Sequence, residues 1–347
     1  GWDTPDCDTS DWICASVLED PPFNELLLQD YPPVRITKRL PVRFVRQLPD
    51  GAWLYDCGVN VAGSVEITVR NPTPGQNIVI RVCERFDESN YPELVVYSAV
   101  YYPLDSLPNG KAPWNLRNTN VYTAKGATVE HYSPRFCYTG FRYVYISGTD
   151  TAPHEADITV CEMHNDLSEV GRFESGDALL NRFWTVTKQT WRNNTFNGPT
   201  DCPTREKNFW TGDTMIFSHL ACWYTDNSEF LARWTDVGRK MTGPYGYEDE
   251  EYMVPWVLYM FYGDKEILRV KWDKMMRLFE KRRDKNGAPL PVHPFSCYND
   301  WLNPTGHNLS SDFFSHCYYL NMLNVLAKIA AVLGHTEDQR YFEEAFE

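Results

Sequence analysis

The chain has 347 residues, 43% hydrophobic and 23% charged, a globular composition long enough for two domains of ordinary size. Its 33 Lys and Arg against 47 Asp and Glu leave a formal charge of −14, which excludes the basic footprint that a nucleic-acid partner requires. No apolar run reaches the roughly 18 residues of a membrane helix, so no membrane partner is expected.

From Val34 to Val160 the pattern is one of short alternating runs broken by turn residues. Val65–Val69, Asn77–Val82 and Phe141–Ile146 read as strands, and Asn71-Pro72-Thr73-Pro74-Gly75 reads as the turn between the first two. Antiparallel strands at this spacing predict a β-sandwich. From about Ser175 the period becomes helical. Ala178–Trp191 reads as a helix with Ser175 or Asp177 as N-cap. Helices follow over Asp213–Tyr224, Ser228–Lys240, Glu250–Tyr262, Lys265–Arg283, Asp312–Leu333 and Glu337–Phe346, with Gly334 as a C-cap signal. Irregular segments rich in aromatics, acids, Pro and Gly lie between them at 196–212, 242–250 and 287–309.

The chemistry concentrates in 197–213, NGPTDCPTREKNFWTGD, where Asp201, Arg205, Glu206, Trp210 and Asp213 fall together. Pro199 and Pro203 oppose a regular helix across Asp201, so the acids belong on a shaped loop ahead of a helix that starts near Thr211. A carboxylic acid beside an aromatic face, with a second carboxylate nearby, can stay protonated near neutral pH and donate to a leaving oxygen. Glu206, with Trp210 four residues on, suits that role, and Arg205 can orient a carboxylate or bind hydroxyls in fork geometry. Acids and arginines in loops also cap helices or pair at the surface, and spacing leaves both readings open. Glu248, Asp249, Glu250 and Glu251 precede an apolar helix, where the helix dipole favours acids. Asp300 beside Trp301 makes a minimal sugar platform, one group for hydroxyls and one for a C–H face, and equally a buried Trp with a capping Asp.

The 10 cysteines include no CxxC pair, and no Cys or His spacing, that of His293, His307 and His316 included, makes a metal site. Free core thiols are the expectation. GxSxG, P-loop and GxGxxG motifs are missing, so esterase, NTPase and dinucleotide-binding readings have no support.

DCPTREKN followed by WTGD (201–213) resembles the most distinctive motif of the α-L-rhamnosidases of glycoside hydrolase family 78. PPVRITKRL (32–40), LYDCGVNVAGSVEITV (54–69) and YSPRFCYTGFRYVYISG (132–148) resemble that family's β-domain. VGRFESGDALLNRFW (170–184) does so too, while VPWVLYMFYGD (254–264) and YNDWL (298–302) resemble its helical barrel. The resemblance implies a multidomain α and β protein: residues 1–30 as the tail of a preceding β-sandwich domain, 31–170 as a β-sandwich domain, and 171–347 as the N-terminal half of an (α/α)6 barrel. Seven helices are roughly half of such a toroid, so the expectation is a portion of a longer polypeptide whose open half-barrel exposes apolar faces.

The resemblance further implies inverting hydrolysis of terminal α-L-rhamnose from rhamnosides or a polysaccharide. One acid protonates the glycosidic oxygen while a second carboxylate, roughly 6.5–9.5 Å away, activates water. Carried over by motif position, Glu206 is the general acid and Asp201, Arg205 and Trp210 line the rhamnose pocket. Asp249 and Asp300 bind hydroxyls, Trp301 stacks on the sugar, and Tyr247 is a further ring assigned to it. Asp213 joins the binding set, and the general base lies beyond this chain. No cofactor or metal is implied, because two carboxylates and water suffice. Phe209, Glu248 and Asn299 stand where the family usually has Gly. They motivate two other readings: a degenerate relative that binds carbohydrate or serves assembly without turnover, and a glycosidase with altered sugar specificity.

Overall fold

Strand β3 (Trp53–Arg70) organises the β-region. Its first half pairs antiparallel with β2 (Arg43–Gln47) on one side and with β9 (Thr139–Ser147) on the other. Its second half pairs with β10 (Ile158–Asn165) and β8 (Val129–Tyr132). Between Asp56 and Val61 the register with β9 shifts, and Gly58 sits there at φ +82°, in the left-handed region that favours glycine. This bulge lets one strand serve both halves. The computed structural model describes residues 4–19, 28–97, 115–237, 249–285, 287, 304–306 and 310–347.

With β1 (Val34–Pro41), β4 (Asn77–Cys83) and β7 (Thr119–Thr123), the strands form one sheet in the order β1-β10-β3-β9-β4-β7, with β2 and β8 also bonded to β3. A separate ribbon joins β5 (Val95–Tyr97) to β6 (Asn115–Arg117). The expected strands at 65–69, 77–82 and 141–146 thus lie inside β3, β4 and β9. Instead of two separately bonded sheets, the main strands form one curled sheet. Successive side chains of a strand point to opposite faces. Accordingly Val65, Ile67 and Val69 of β3 join Ile78 and Ile80 of β4, Ile146 of β9 and Val160 of β10 in a single buried core. Leu48, Ala52, Leu54, Cys83, Leu94 and Tyr145 form a smaller core elsewhere in this region.

Among the described residues seven helices follow: α1 (Ala178–Asn193), α2 (Thr211–Tyr224), α3 (Ser228–Val237), α4 (Glu250–Tyr262), α5 (Glu266–Lys281), α6 (Ser311–Leu333) and α7 (Thr336–Phe346). Asp177 is the N-cap of α1, its Oδ1 accepting from Leu179 N at 2.7 Å, and Gly334 ends α6 in the left-handed conformation. Helix α4 is apolar nearly all round and lies against α2, α3, α5 and α6. One core gathers Trp191, Tyr224, Phe230, Trp234 and Leu258; another gathers Tyr252, Trp272, Phe279, Leu326 and Phe342. These helices do not by themselves establish the (α/α)6 barrel. Leu179, Leu180 and Phe183 on α1 and Ile216 and Trp223 on α2 are exposed, and an apolar groove of about 580 Å³ runs between α2, α4 and α6.

Tyr31–Glu347 is one compact unit, and Gly1–Asp30 is another, whose described residues carry turns and no strand. Two asparagines weld helix to sheet within the larger unit. Asn193, at the end of α1, accepts from Ala62 N and donates to Asn60 O, both at 3.0 Å. Asn165, fully buried at the end of β10, accepts from Asn197 N at 2.7 Å and donates through its side chain to Pro32 O at 2.7 Å.

Among the described residues no helix is long and apolar enough to cross a membrane, and no group of three His, Cys, Asp or Glu side chains is arranged to hold a metal ion. The described cysteines are free thiols, and Cys297 lies outside the described residues.

Candidate active site

The loop between α1 and α2 is closed on itself by backbone. Asp201 N donates to Asn208 O at 3.1 Å, and Asn208 N returns a bond to Asp201 Oδ1 at 2.9 Å. Inside that closure Glu206 N donates to Cys202 Sγ at 3.3 Å. Lys207 adopts φ +50°, unusual for a side chain with a Cβ. Its ammonium is spent on the sheet: Nζ donates to Tyr138 O at 2.5 Å and lies 4.6 Å from the centre of the Tyr138 ring, which stacks on Phe196. Burial lowers the Lys207 pKa.

The sheet supports the loop from a second point. Gly140 N, in β9, donates to Pro203 O at 3.1 Å. A Cβ on Gly140 would stand 2.4 Å from Thr204 Oγ1 and 2.7 Å from Pro203 Cγ, so the close approach requires glycine. Phe209 is accommodated by another glycine: a Cβ on Gly198 would meet Phe209 Cε1 at 2.9 Å. The Phe209 ring lies over the bare backbone of Gly198.

These supports present the acids. Trp210 Nε1 donates to Glu206 Oε2 at 2.8 Å, and Arg205 Nη2 lies 3.6 Å from Glu206 Oε1. The indole meets Glu206 through its N–H, not through the apolar face expected from the spacing. One carboxyl oxygen is thereby fixed, and the other faces the guanidinium. Trp210 is also the N-cap of α2, and its carbonyl accepts from Thr214 N at 3.3 Å and from Thr214 Oγ1 at 3.2 Å. Asp213 then falls in the first turn of α2. Asp201 and Asp213 line a cleft of about 290 Å³ between α1 and α2. Asp213 is exposed to that cleft, yet its crowded recess, and then the charges of Asp201 and Glu206, push its pKa up to about 6.

The structure therefore brings Asp201, Arg205, Glu206, Trp210 and Asp213 together. Asp249 is positioned by another element, as the N-cap of α4. Its carboxylate is fully buried and paired with Arg282, Oδ1 accepting from Nη1 at 2.8 Å and Oδ2 from Nη2 at 3.3 Å, with Tyr252 OH also donating to it. In this arrangement the Asp249 carboxylate is held by Arg282 and Tyr252 within the helical core. Tyr247, Asp300 and Trp301 lie outside the described residues, as do Glu248 and Asn299.

Sequence reasoning missed the supports Lys207, Tyr138 and Gly140, which no local period marks. Glu250 and Glu251 fall in the first turn of α4, as expected, and both are buried, which the run of acids does not reveal. Glu251 pairs with Lys274 at 2.6 Å. Burial, then Glu251 and Asp249, push Glu250 up to about 9, so this carboxyl is neutral at physiological pH.

Residues 168–347 match the family described as bacterial alpha-L-rhamnosidase 6 hairpin glycosidase domain, and residues 46–164 match the bacterial alpha-L-rhamnosidase concanavalin-like domain. Among curated proteins the chain is 29% identical over 359 residues to an α-L-rhamnosidase of Streptomyces avermitilis, covering 96% of this chain and 32% of that protein. It is 24% identical over 363 residues to an α-L-rhamnosidase of Formosa agariphila, covering 95% and 37%. Among solved structures it is similar to an α-L-rhamnosidase from Dictyoglumus thermophilum, with a TM-score of 0.82, 29% identity and coverage of 99% of this chain and 39% of the other. The Streptomyces avermitilis α-L-rhamnosidase complexed with L-rhamnose gives a TM-score of 0.76 at 27% identity, covering 92% and 32%. The chain spans about a third of the length of the curated relatives it matches.

Proposed function

The chain belongs to the bacterial α-L-rhamnosidase family, and from that membership we propose that the full protein releases terminal α-L-rhamnose from rhamnosides with inversion. The observation that carries the proposal is the clamped carboxyl of Glu206, held by Trp210 Nε1 at 2.8 Å within the same closed loop as Asp201. Glu206 delivers its proton to the glycosidic oxygen as the bond breaks. Arg205, 3.6 Å from Glu206, stabilises the carboxylate left behind. Asp201 and Asp213 accept hydrogen bonds from the ring hydroxyls. The carboxylate that activates water comes from outside residues 1–347, on the opposite face of the sugar. Tyr247, Asp300 and Trp301 complete the sugar contacts in this mechanism.

The proposal is tested by incubating the full-length protein with an aryl α-L-rhamnoside. Release of rhamnose, with the anomeric configuration inverted in the first-formed product, is the expected result. Binding without turnover would instead favour the degenerate relative, and turnover of another aryl glycoside in preference would favour altered specificity.

Asp213 supplies a pH signature. With its pKa held up to about 6, it is mostly neutral at pH 5 and mostly charged at pH 7. A charged carboxylate is the stronger acceptor for a sugar hydroxyl. The value of kcat/KM is therefore expected to rise through this ionisation as pH increases, and Asp213→Asn to lose that rise. A pH profile unchanged in Asp213→Asn would assign the ionisation to another group.

A further inference from the structure

Cys202 stands between Asp201 and Glu206 on the loop that joins α1 and α2, and none of the roles assigned above uses its side chain. Its Sγ accepts from Glu206 N at 3.3 Å, four residues on, where a helix would place a backbone carbonyl. The sulfur also takes the backbone N–H of Lys207, and on its other side the thiol meets the Asp201 carboxylate. Asp201 Oδ1 is itself held by Asn208 N at 2.9 Å. One side chain therefore joins the carboxylate at the start of the loop to the backbone that carries the acid.

Both ends of this arrangement are anchored. Pro203 follows with its φ fixed by the ring, and its carbonyl accepts from Gly140 N at 3.1 Å, which ties Cys202 to the sheet. Beyond Glu206, Lys207 turns the backbone at φ +50° and its ammonium donates to Tyr138 O at 2.5 Å. With the Glu206 N–H turned onto the sulfur, the backbone direction at Glu206 is fixed, and with it the line along which the carboxyl reaches Trp210 Nε1 at 2.8 Å. The chemistry suits a thiol. Burial, and then Asp201, push the Cys202 thiol up, so it stays protonated and offers its S–H to Asp201 while its lone pairs accept backbone N–H groups. A serine hydroxyl offers the same donor and acceptor on a shorter bond, and alanine offers neither.

We propose that Cys202 is a positioning residue for the reaction: its sulfur sets the aim of Glu206 and its S–H holds Asp201, so that the proton donor and a sugar-binding carboxylate are oriented by a single side chain acting through them. The proposal rests on the rhamnosidase reading above.

The test compares wild type, Cys202→Ala and Cys202→Ser in the full-length protein. The kcat values are measured on an α-L-rhamnosyl-glucose disaccharide and on a nitrophenyl α-L-rhamnoside, and L-rhamnose binding is measured by calorimetry. A misplaced acid fails most where the leaving oxygen is most basic. Cys202→Ala is therefore expected to lower kcat at least about tenfold on the disaccharide and less than about threefold on the nitrophenyl rhamnoside, since a small misplacement near the chemistry costs up to about 10²-fold. Affinity for L-rhamnose is expected to fall about threefold through Asp201, the scale of one weak hydrogen bond. Cys202→Ser is expected to recover part of both losses, and it carries the same comparison with wild type if Cys202→Ala does not fold. Equal losses on the two substrates with a lowered urea midpoint would make Cys202 a packing residue and overturn the proposal. Unchanged kcat and affinity in Cys202→Ala, or a serine variant no better than alanine, would overturn it as well. Absence of rhamnose release by the wild type would overturn the rhamnosidase reading, and the affinities then decide the rest. A loss in alanine that serine recovers keeps Cys202 as the positioning residue of a sugar site, and no loss removes it. Failure of the wild type both to bind and to release rhamnose overturns both.

Discussion

Replacing Glu206 with Gln in the full-length protein is expected to lower kcat for rhamnoside hydrolysis by about 10²–10⁴. The substitution is nearly isosteric. The amide oxygen of Gln still accepts from Trp210 Nε1, now 2.8 Å from Glu206 Oε2, so the side chain stays in place. It loses the one thing the mechanism asks of it, a proton acidic enough to transfer. Acid assistance matters most when the leaving oxygen is strongly basic. The loss is therefore expected to be severe for alkyl or sugar rhamnosides and milder for a nitrophenyl rhamnoside, whose phenolate leaves with less help. Comparing kcat of wild type and variant on both substrates tests this. An equal, small loss on both would remove Glu206 from the acid role and return it to loop structure.

Replacing Arg282 with Met is expected to cost about 3–5 kcal/mol of folding stability, the scale for breaking a buried ion pair from one side. Arg282 is 2% exposed and Asp249 fully buried, and their two hydrogen bonds are the bidentate kind in which guanidinium and carboxylate geometry match. The variant leaves Asp249 charged inside a helical core beside Glu250 and Glu251, with Tyr252 still donating to it. Urea unfolding of the full-length protein measures the loss. Adding Asp249→Asn to Arg282→Met is expected to recover part of it, because the uncompensated charge is gone. If Arg282→Met instead left stability intact and raised KM, Asp249 would belong to the sugar after all.

Much of this architecture was legible because it is local. Val65, Ile67 and Val69 alternate, so β3 is visible from 65 to 69, and the motif itself marks a helix beginning at Thr211. Asp177 and Gly334 carry capping chemistry that depends only on neighbours. The first half of β3 was less legible, since Cys57 and Gly58 interrupt the alternation with a bulge, and that missing half is what turns two expected sheets into one. In the site, Asp201, Glu206, Trp210 and Asp213 were found together because the chain places them in one short segment. What holds them was not, because contact across sequence leaves no period: Lys207 reaches Tyr138, and Gly140 reaches Pro203. The same reason hid the partner of Asp249 and the burial of Glu250, for a run of acids carries no sign of the core closing over it.

The two family matches part between residues 164 and 168, but the molecule does not part there. Asn165 sits in that gap, fully buried and bonded to the start of the loop that carries Glu206, while Gly140 and Asn193 bind loop and helix to the sheet on either side. Sheet and loop are thus not interchangeable parts. A sheet region exchanged with that of a relative would bring a new set of backbone positions under Pro203 and Thr204, and the Glu206 side chain would be re-aimed with the loop. The two regions are expected to work only as a matched pair, so that a hybrid with an exchanged sheet region loses the loop geometry held at Gly140 and Asn165.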